Sequence, residues 1–136
     1  MNAATEAHRR TEELEVAMAT PFAVSKDRAQ AVKEAKQTVA ELAILDPRLR
    51  PALHAEGVTD EEILQVQNSV RLGDPNSAVT DEMVELFGIA GTPEYCVEKI
   101  AALRKMGITQ VAVGRPARES RDMIKMIGEQ IIPQLR

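Results

Sequence analysis

Hydrophobic and polar positions along the chain form two patterns, continuous apolar runs and apolar stripes at helical spacing. Residues 14–24 read LEVAMATPFAV, an almost unbroken apolar run that predicts a strand buried on both faces, as in a parallel sheet. Pro21 has no amide proton to give to the ladder, so the second half of this strand is expected to be bulged or irregular. Shorter apolar runs at 87–91 and 108–113 predict two further strands.

In the segments between these runs, apolar residues recur at helical spacing. Ser25 is a good N-cap residue, and the apolar positions that follow it recur at helical spacing as far as Leu45, with Asp27 in the first turn. Residues 46–58 contain Pro47 and Pro51 and predict an irregular stretch with one turn of helix.

Later helices carry recognisable start and stop signals. Three are expected to begin at threonines: Thr59, which forms a capping box with Glu62; Thr80; and Thr92, which Pro93 follows. Gly107 is expected to end the third of these in a left-handed conformation. A final helix is expected from about residue 119 to residue 132, stopping at Pro133.

The order of these elements predicts an α/β fold. Strand and helix alternate across short loops, which is typical of a parallel sheet with right-handed crossovers, and a helical insertion at 46–86 interrupts the alternation. A closed (β/α)₈ barrel needs eight strands over about 250 residues. The chain has 136 residues and three strand signals, so it cannot close such a barrel alone.

Composition narrows the function classes. A net charge of -4 and three aromatic residues argue against binding to a phosphate backbone or to stacked bases, so no nucleic-acid partner is expected. No apolar run approaches the length of a membrane span, so no membrane partner is expected either. The polar first residues and the single Cys96, which cannot form an internal disulfide, predict a cytoplasmic protein.

Several segments, taken in order, resemble a known family. They are FGIAGTPE at 87–94, GITQVAVGRP at 107–116 and GEQIIP at 128–133. The set resembles the C-terminal end of the bacterial-luciferase-like superfamily, and most of all its coenzyme F420-dependent, methylenetetrahydromethanopterin reductase-like oxidoreductases. Residues 16–31 and 79–83 are similar to that family's sixth strand and to the helix before its seventh. The resemblance covers roughly residues 12–136 and leaves out the family's first five βα units.

This resemblance implies a fold and an activity. Residues 1–136 would be one partial-barrel domain, the C-terminal part of a luciferase-like (β/α)₈ TIM barrel with the insertion at 46–86. The family passes a hydride between coenzyme F420 and a small-molecule substrate such as a methylene-pterin, and other members of the superfamily use FMN instead. An isolated chain of this length is expected to be inactive.

The resemblance also implies cofactor contacts at two strand ends: Ala90, Gly91 and Thr92, and then Gly114 and Arg115. The first group has a structural alternative, a plain helix cap without any ligand, which the sequence favours. Arg115, with Arg118 and Arg121 nearby, could meet an anionic part of the coenzyme or could form a solvated turn. His8 and His54 lack the spacing of metal ligands, so no metal is expected, and the catalytic residues stay unknown.

A second hypothesis comes from the strand edges. Three parallel strands leave open edges that invite pairing with another copy, so the chain could be a non-catalytic binding or assembly module that dimerises through them. On either hypothesis a homo-oligomer is expected. Cys96 lies on the inward face of its predicted helix and is expected to be a small core residue rather than a nucleophile.

Overall fold

The first apolar run forms two short strands instead of one. In the computed structural model, which describes residue 10 and residues 14–113 and 121–136, these strands are β1 (Ala17–Thr20) and β2 (Phe22–Val24). Pro21 separates them, which confirms the expected irregularity. Two later strands follow, β3 (Ile89–Gly91) and β4 (Gln110–Val113).

Both strand pairings are parallel, but each half of the first run has its own partner. β1 pairs with β4, with Ala17 opposite Gln110. β2 pairs with β3, with Val24 opposite Gly91. The Pro21 carbonyl accepts a hydrogen bond from the Ile89 amide at 2.9 Å, so Pro21 helps to position β3 although it has no donor of its own. The expected parallel strands are present as two two-stranded sheets.

The helices alternate with these strands in the predicted order. Their bounds are α1 (Arg28–Val39), α2 (Arg50–Ala55), α3 (Asp60–Arg71), α4 (Asp81–Phe87), α5 (Pro93–Lys105), α6 (Arg121–Met126) and α7 (Ile132–Leu135). Two π-helical turns (Ala40–Ile44 and Ile127–Ile131) extend α1 and join α6 to α7, and short 3₁₀ turns (Pro47–Leu49 and Pro75–Ser77) precede α2 and α4. The described part of the chain contains no helix long and apolar enough to cross a membrane.

Local capping chemistry confirms most of the predicted helix starts. The Thr59 hydroxyl accepts a bond from the Glu62 amide at 3.2 Å, and the Glu62 carboxylate accepts one from the Thr59 amide at 2.7 Å, which completes the capping box. Thr80 caps α4 and Thr92 caps α5 in the same manner. Gly107 has a φ of 97°, as its predicted role requires.

Two predicted helix boundaries are wrong. Asp27, not Ser25, caps α1: its carboxylate accepts from the Ala29 amide at 3.0 Å, while Ser25 remains bonded to the end of β3. The final helix does not stop at Pro133. The preceding π turn shifts the register so that Pro133 falls in the first turn of α7, where a missing amide proton costs little.

The core lies on both faces of the β2–β3 pair. On one face Ala23 and Ala90 pack against α1 and against buried side chains from α2, α3 and α4. On the other, Phe22, Val24 and Ile89 pack against α5 and the C-terminal helices through Cys96 and Ile131. The helices between residues 46 and 86 are therefore part of the same core as the strands.

The β1–β4 pair is far more exposed, which corrects the expectation that the first strand is buried on both faces. Ala17, Ala19, Gln110 and Ala112 are all exposed, and the pairing register places them on one side of the two strands. Burial of a strand depends on which elements pack over it, and an apolar sequence alone does not specify those elements. Residues 22–24 meet the expectation because helices cover both of their faces.

Candidate functional site

The carboxyl ends of β2 and β3 meet at one end of the fold. Val24 and Gly91 are paired, and immediately after them the Ser25 amide donates to the Gly91 carbonyl at 3.1 Å. Helices α1 and α5 both begin within a few residues of this bond. In parallel α/β folds the carboxyl ends of the strands are where ligands bind, so this end is the candidate site.

The structure places the first three predicted site residues together at this end. Ala90 is 3% exposed and packs beside Ala23, so its side chain belongs to the core and its backbone alone could face a ligand. Gly91 is buried, and Thr92 is half-buried. Whether these residues bind a cofactor stays a prediction.

The first turn of α5 uses most of its own donors. The Tyr95 amide donates to the Thr92 hydroxyl at 3.4 Å, and the Cys96 amide donates to the Thr92 carbonyl at 3.0 Å. Pro93 has no amide proton. These bonds leave the Glu94 amide as the first-turn donor available to a ligand, at the end of the helix where its dipole favours an anion.

The second pair of predicted site residues, Gly114 and Arg115, lies outside the described residues, as does Arg118. Arg121 is described: it is exposed at the start of α6. The expected contact between an anionic cofactor group and these arginines therefore stays a prediction.

The structure adds a cluster next to Gly91 that the sequence analysis missed. We call it the Glu85 cluster: Arg28, Glu85, Tyr95 and Lys99. The Glu85 carboxylate accepts hydrogen bonds from the Tyr95 hydroxyl and, at 2.9 Å, from the Lys99 ammonium. The Arg28 guanidinium lies 3.6 Å from Glu85 and 4.7 Å from the centre of the Tyr95 ring. The i, i+4 spacing of Tyr95 and Lys99 was a visible signal, but Glu85 and Arg28 reach them from other helices.

The electrostatics of this cluster follow from its contacts. The hydrogen bonds from Tyr95 and then Lys99 hold the pKa of Glu85 below its ordinary value, because both stabilise the carboxylate. Burial, followed by the hydrogen bond to Glu85, raises the pKa of Tyr95. Over the pH range between these two groups, Glu85 is therefore an anion and Tyr95 is a neutral donor.

Cys96 lies directly beneath the candidate site. Its side chain is fully buried, and the thiol is 3.9 Å from both the Ala23 and the Gly91 carbonyl oxygens. Burial raises the pKa of the thiol to about 11. A thiol of this kind is a poor nucleophile at neutral pH, so the structure supports a packing role.

Comparison with known proteins gives the family. The family model described as luciferase-like monooxygenase matches residues 1–110. The 5,10-methylenetetrahydromethanopterin reductase of Methanopyrus kandleri is 34% identical over 98% of this chain. The reductases of the same name from Archaeoglobus fulgidus and Methanolobus tindarius are 32% and 31% identical over 85% and 95% of the chain.

A solved structure agrees with these sequence matches. The coenzyme F420-dependent tetrahydromethanopterin reductase from Methanopyrus kandleri superposes with a TM-score of 0.81 over 98% of this chain. The chain spans 39% of that protein, and between 36% and 40% of the three relatives. The described α/β architecture thus corresponds to part of a luciferase-like TIM barrel. On these matches, and on the family model that covers most of its length, the chain belongs to the luciferase-like monooxygenase family.

Proposed function

We propose that this chain forms the C-terminal part of a coenzyme F420-dependent oxidoreductase that transfers a hydride to or from a methylene-pterin-like substrate. The observation that carries the proposal is the match to the Methanopyrus kandleri reductase over 98% of the chain, in sequence and in backbone. All three relatives reported above bear the same reductase name. A cytoplasmic location goes with this proposal, because the single cysteine allows no internal disulfide.

The residues at the carboxyl ends of β2 and β3 fit one edge of a cofactor site. The Glu94 amide could donate to an anionic or carbonyl oxygen of the coenzyme, and the half-buried Thr92 orients the helix that carries this amide. Ala90 and Gly91, both buried, would close the site from the core side and keep water out. Coenzyme F420, when bound, would supply the hydride chemistry, and the protein would position it.

A direct titration tests this proposal. The 136-residue chain is titrated with coenzyme F420 and, in parallel, with FMN, and the visible absorbance of each ligand is followed. We expect F420 to show a saturable shift and FMN to show a weaker one. No shift with either ligand would remove the binding claim for this chain, and a shift with FMN alone would replace F420 by a flavin.

Two glycine variants make the titration specific for the site. A Cβ built at Gly91 would lie 2.5 Å from the Tyr95 ring, so Gly91→Ala must displace either that ring or the end of β3, and it should weaken ligand binding. A Cβ at Gly128 would meet nothing within 4 Å, so Gly128→Ala is the matched control and should bind like the wild type. Equal binding by both variants would show that the ligand does not bind at this strand end.

A second candidate function, self-assembly, is favoured by the exposed β1–β4 pair. Among the described residues, β1 and β4 form a two-stranded sheet in which each strand keeps one open edge, and an open edge can accept another strand. Ala19, Ala112 and Val113 are exposed beside these edges. We propose that two copies associate through this pair. Sedimentation of the purified chain should show a dimer that Ala112→Lys weakens, whereas a monomer at all concentrations would contradict the proposal.

A further inference from the structure

The Glu85 cluster lies where the two crossover helices begin, next to the strand end that carries the proposed cofactor contacts. Arg28 is the first residue of α1, Tyr95 and Lys99 belong to α5, and Glu85 belongs to α4. One carboxylate therefore ties together the helices that follow β2 and β3. Because the carboxylate contacts both helices, we expect its loss to change the placement of the strand ends from which α1 and α5 continue.

Tyr95 is the member of the cluster that touches the strand. A Cβ added to Gly91 would lie 2.5 Å from Cδ1, 2.9 Å from Cγ and 3.2 Å from Cβ of Tyr95. All three distances are shorter than carbon–carbon contact, so the ring and the Cβ of Tyr95 occupy the space that a side chain at position 91 would need. The ring and the Gly91 backbone are thus packed against each other without a gap.

The other end of Tyr95 is held in place. Its hydroxyl donates to Glu85, and Glu85 is fixed in turn by the Lys99 ammonium, which donates to the carboxylate at 2.9 Å and to the Glu85 main-chain carbonyl at 2.8 Å. Arg28 lies over the ring at 4.7 Å. The ring therefore has contacts at its hydroxyl, across its face and along the edge that meets Gly91.

We propose that Tyr95 is a positioning residue that sets the location of the Gly91 backbone, and with it the amide and carbonyl groups at the carboxyl end of β3. The Gly91 carbonyl accepts the Ser25 amide at 3.1 Å, so a displaced Gly91 would also loosen the junction with β2. The effect on a ligand rests on the cofactor site proposed above, but the effect on the strand end does not.

The test uses two substitutions of Tyr95 and one control. Tyr95→Phe keeps the ring and removes the bond to Glu85, whereas Tyr95→Ala removes the ring. Lys36→Gln is the control, because the Lys36–Asp81 ion pair of 2.8 Å also joins α1 to α4 but does not touch Gly91. Each variant is first shown to be folded by circular dichroism.

Amide hydrogen exchange provides the structural readout. The Ser25 amide reports the bond to Gly91, and the amide of Val66, a fully buried residue inside α3, reports general opening. We expect Ser25 exchange to accelerate about tenfold or more relative to Val66 in Tyr95→Ala, less in Tyr95→Phe and not at all in Lys36→Gln. Unchanged Ser25 exchange in folded Tyr95→Ala would overturn the proposal.

Steric rescue and ligand affinity complete the test. Gly91→Ala should be less harmful in the Tyr95→Ala background than in the wild type, because the missing ring removes the contacts of 2.5 and 2.9 Å and leaves the contact of 3.2 Å with the Cβ at position 95. Equal harm in both backgrounds would overturn the proposal. The dissociation constant for F420 should rise about tenfold in Tyr95→Ala, less in Tyr95→Phe and not at all in Lys36→Gln, in the same order as Ser25 exchange, because affinity follows the displacement of the strand end. If Ser25 exchange accelerates but F420 affinity does not change, the role in ligand binding is wrong. If the wild type binds no ligand, the proposed function fails, and the exchange result still decides the role of Tyr95.

Discussion

Leu53 tests whether the helices between residues 46 and 86 share one core with the strands. It is fully buried in α2 and belongs to the cluster that contains Ala23 and Ala90. Leu53→Ala would leave a cavity in that cluster, and such substitutions cost about 3 kcal/mol in well-packed cores. With an unfolding entropy of about 2.1 cal/mol/K per residue, a chain of 136 residues should lose about 10 °C in melting temperature.

The assays are thermal unfolding and urea unfolding, both followed by far-ultraviolet circular dichroism. Leu72→Ala is the matched control, because Leu72 is 83% exposed and its truncation should cost less than about 0.5 kcal/mol. We expect a single transition for both variants, shifted in Leu53→Ala alone. A loss below about 1 kcal/mol in Leu53→Ala, or a separate early transition, would show that these helices are not part of the common core.

Three further predictions concern individual groups. Because hydrogen bonds hold the pKa of Glu85 below its ordinary value, the carboxylate stabilises the fold at neutral pH. Glu85→Gln should therefore lower the melting temperature at about pH 7. The difference between the variant and the wild type should disappear as the pH falls from about 4.5 through the pKa of Glu85 in the folded state. A difference that persisted in acid would contradict the assigned charge. The Cys96 thiol is buried and has a pKa of about 11, so it should resist alkylation at neutral pH in the folded protein and react at the rate of a free thiol in urea. Mass spectrometry measures both rates. Fast alkylation of the folded protein would refute the burial of Cys96. Thr59→Ala should destabilise the chain by about 1 kcal/mol in urea unfolding through loss of the capping box, and a neutral effect would mean that the box contributes nothing.

Features that depend on neighbouring residues were predictable from the sequence. Thr59, Thr80 and Thr92 cap helices because a threonine hydroxyl reaches the amide three residues later, whatever the tertiary structure. Gly107 ends α5 for a similarly local reason, because it adopts a positive φ. The family resemblance rested on several such segments in order, and the comparisons confirm it.

Features that depend on distant partners were not predictable from the sequence. Ser25 and Asp27 can both cap a helix. The Ser25 amide bonds to Gly91 across the strand pair, so Ser25 continues the strand and the cap falls two residues later, at Asp27. The π turn that carries the chain through Pro133 is likewise absent from a simple 3.6-residue pattern.

The candidate site also combines residues that the sequence located with contacts that only the structure shows. The sequence located Ala90, Gly91 and Thr92 at a strand end, but Glu85 reaches Tyr95 from another helix. No local spacing joins a carboxylate in α4 to a tyrosine in α5. The exposure of Ala17 and Ala19 is a tertiary property too, and it accords with a chain that spans 39% of the reductase that it resembles.

Turnover in a chimera tests most directly whether this chain serves as part of an F420-dependent reductase. The chain replaces the matching C-terminal part of the Methanopyrus kandleri reductase, and oxidation of reduced F420 by a methylene-pterin substrate is followed by absorbance. Gly128→Ala and Gly91→Ala versions are measured beside it, with folding checked by circular dichroism. We expect turnover that Gly128→Ala preserves and Gly91→Ala reduces. A folded chimera that binds FMN but not F420, or that binds F420 without any turnover, would contradict this role.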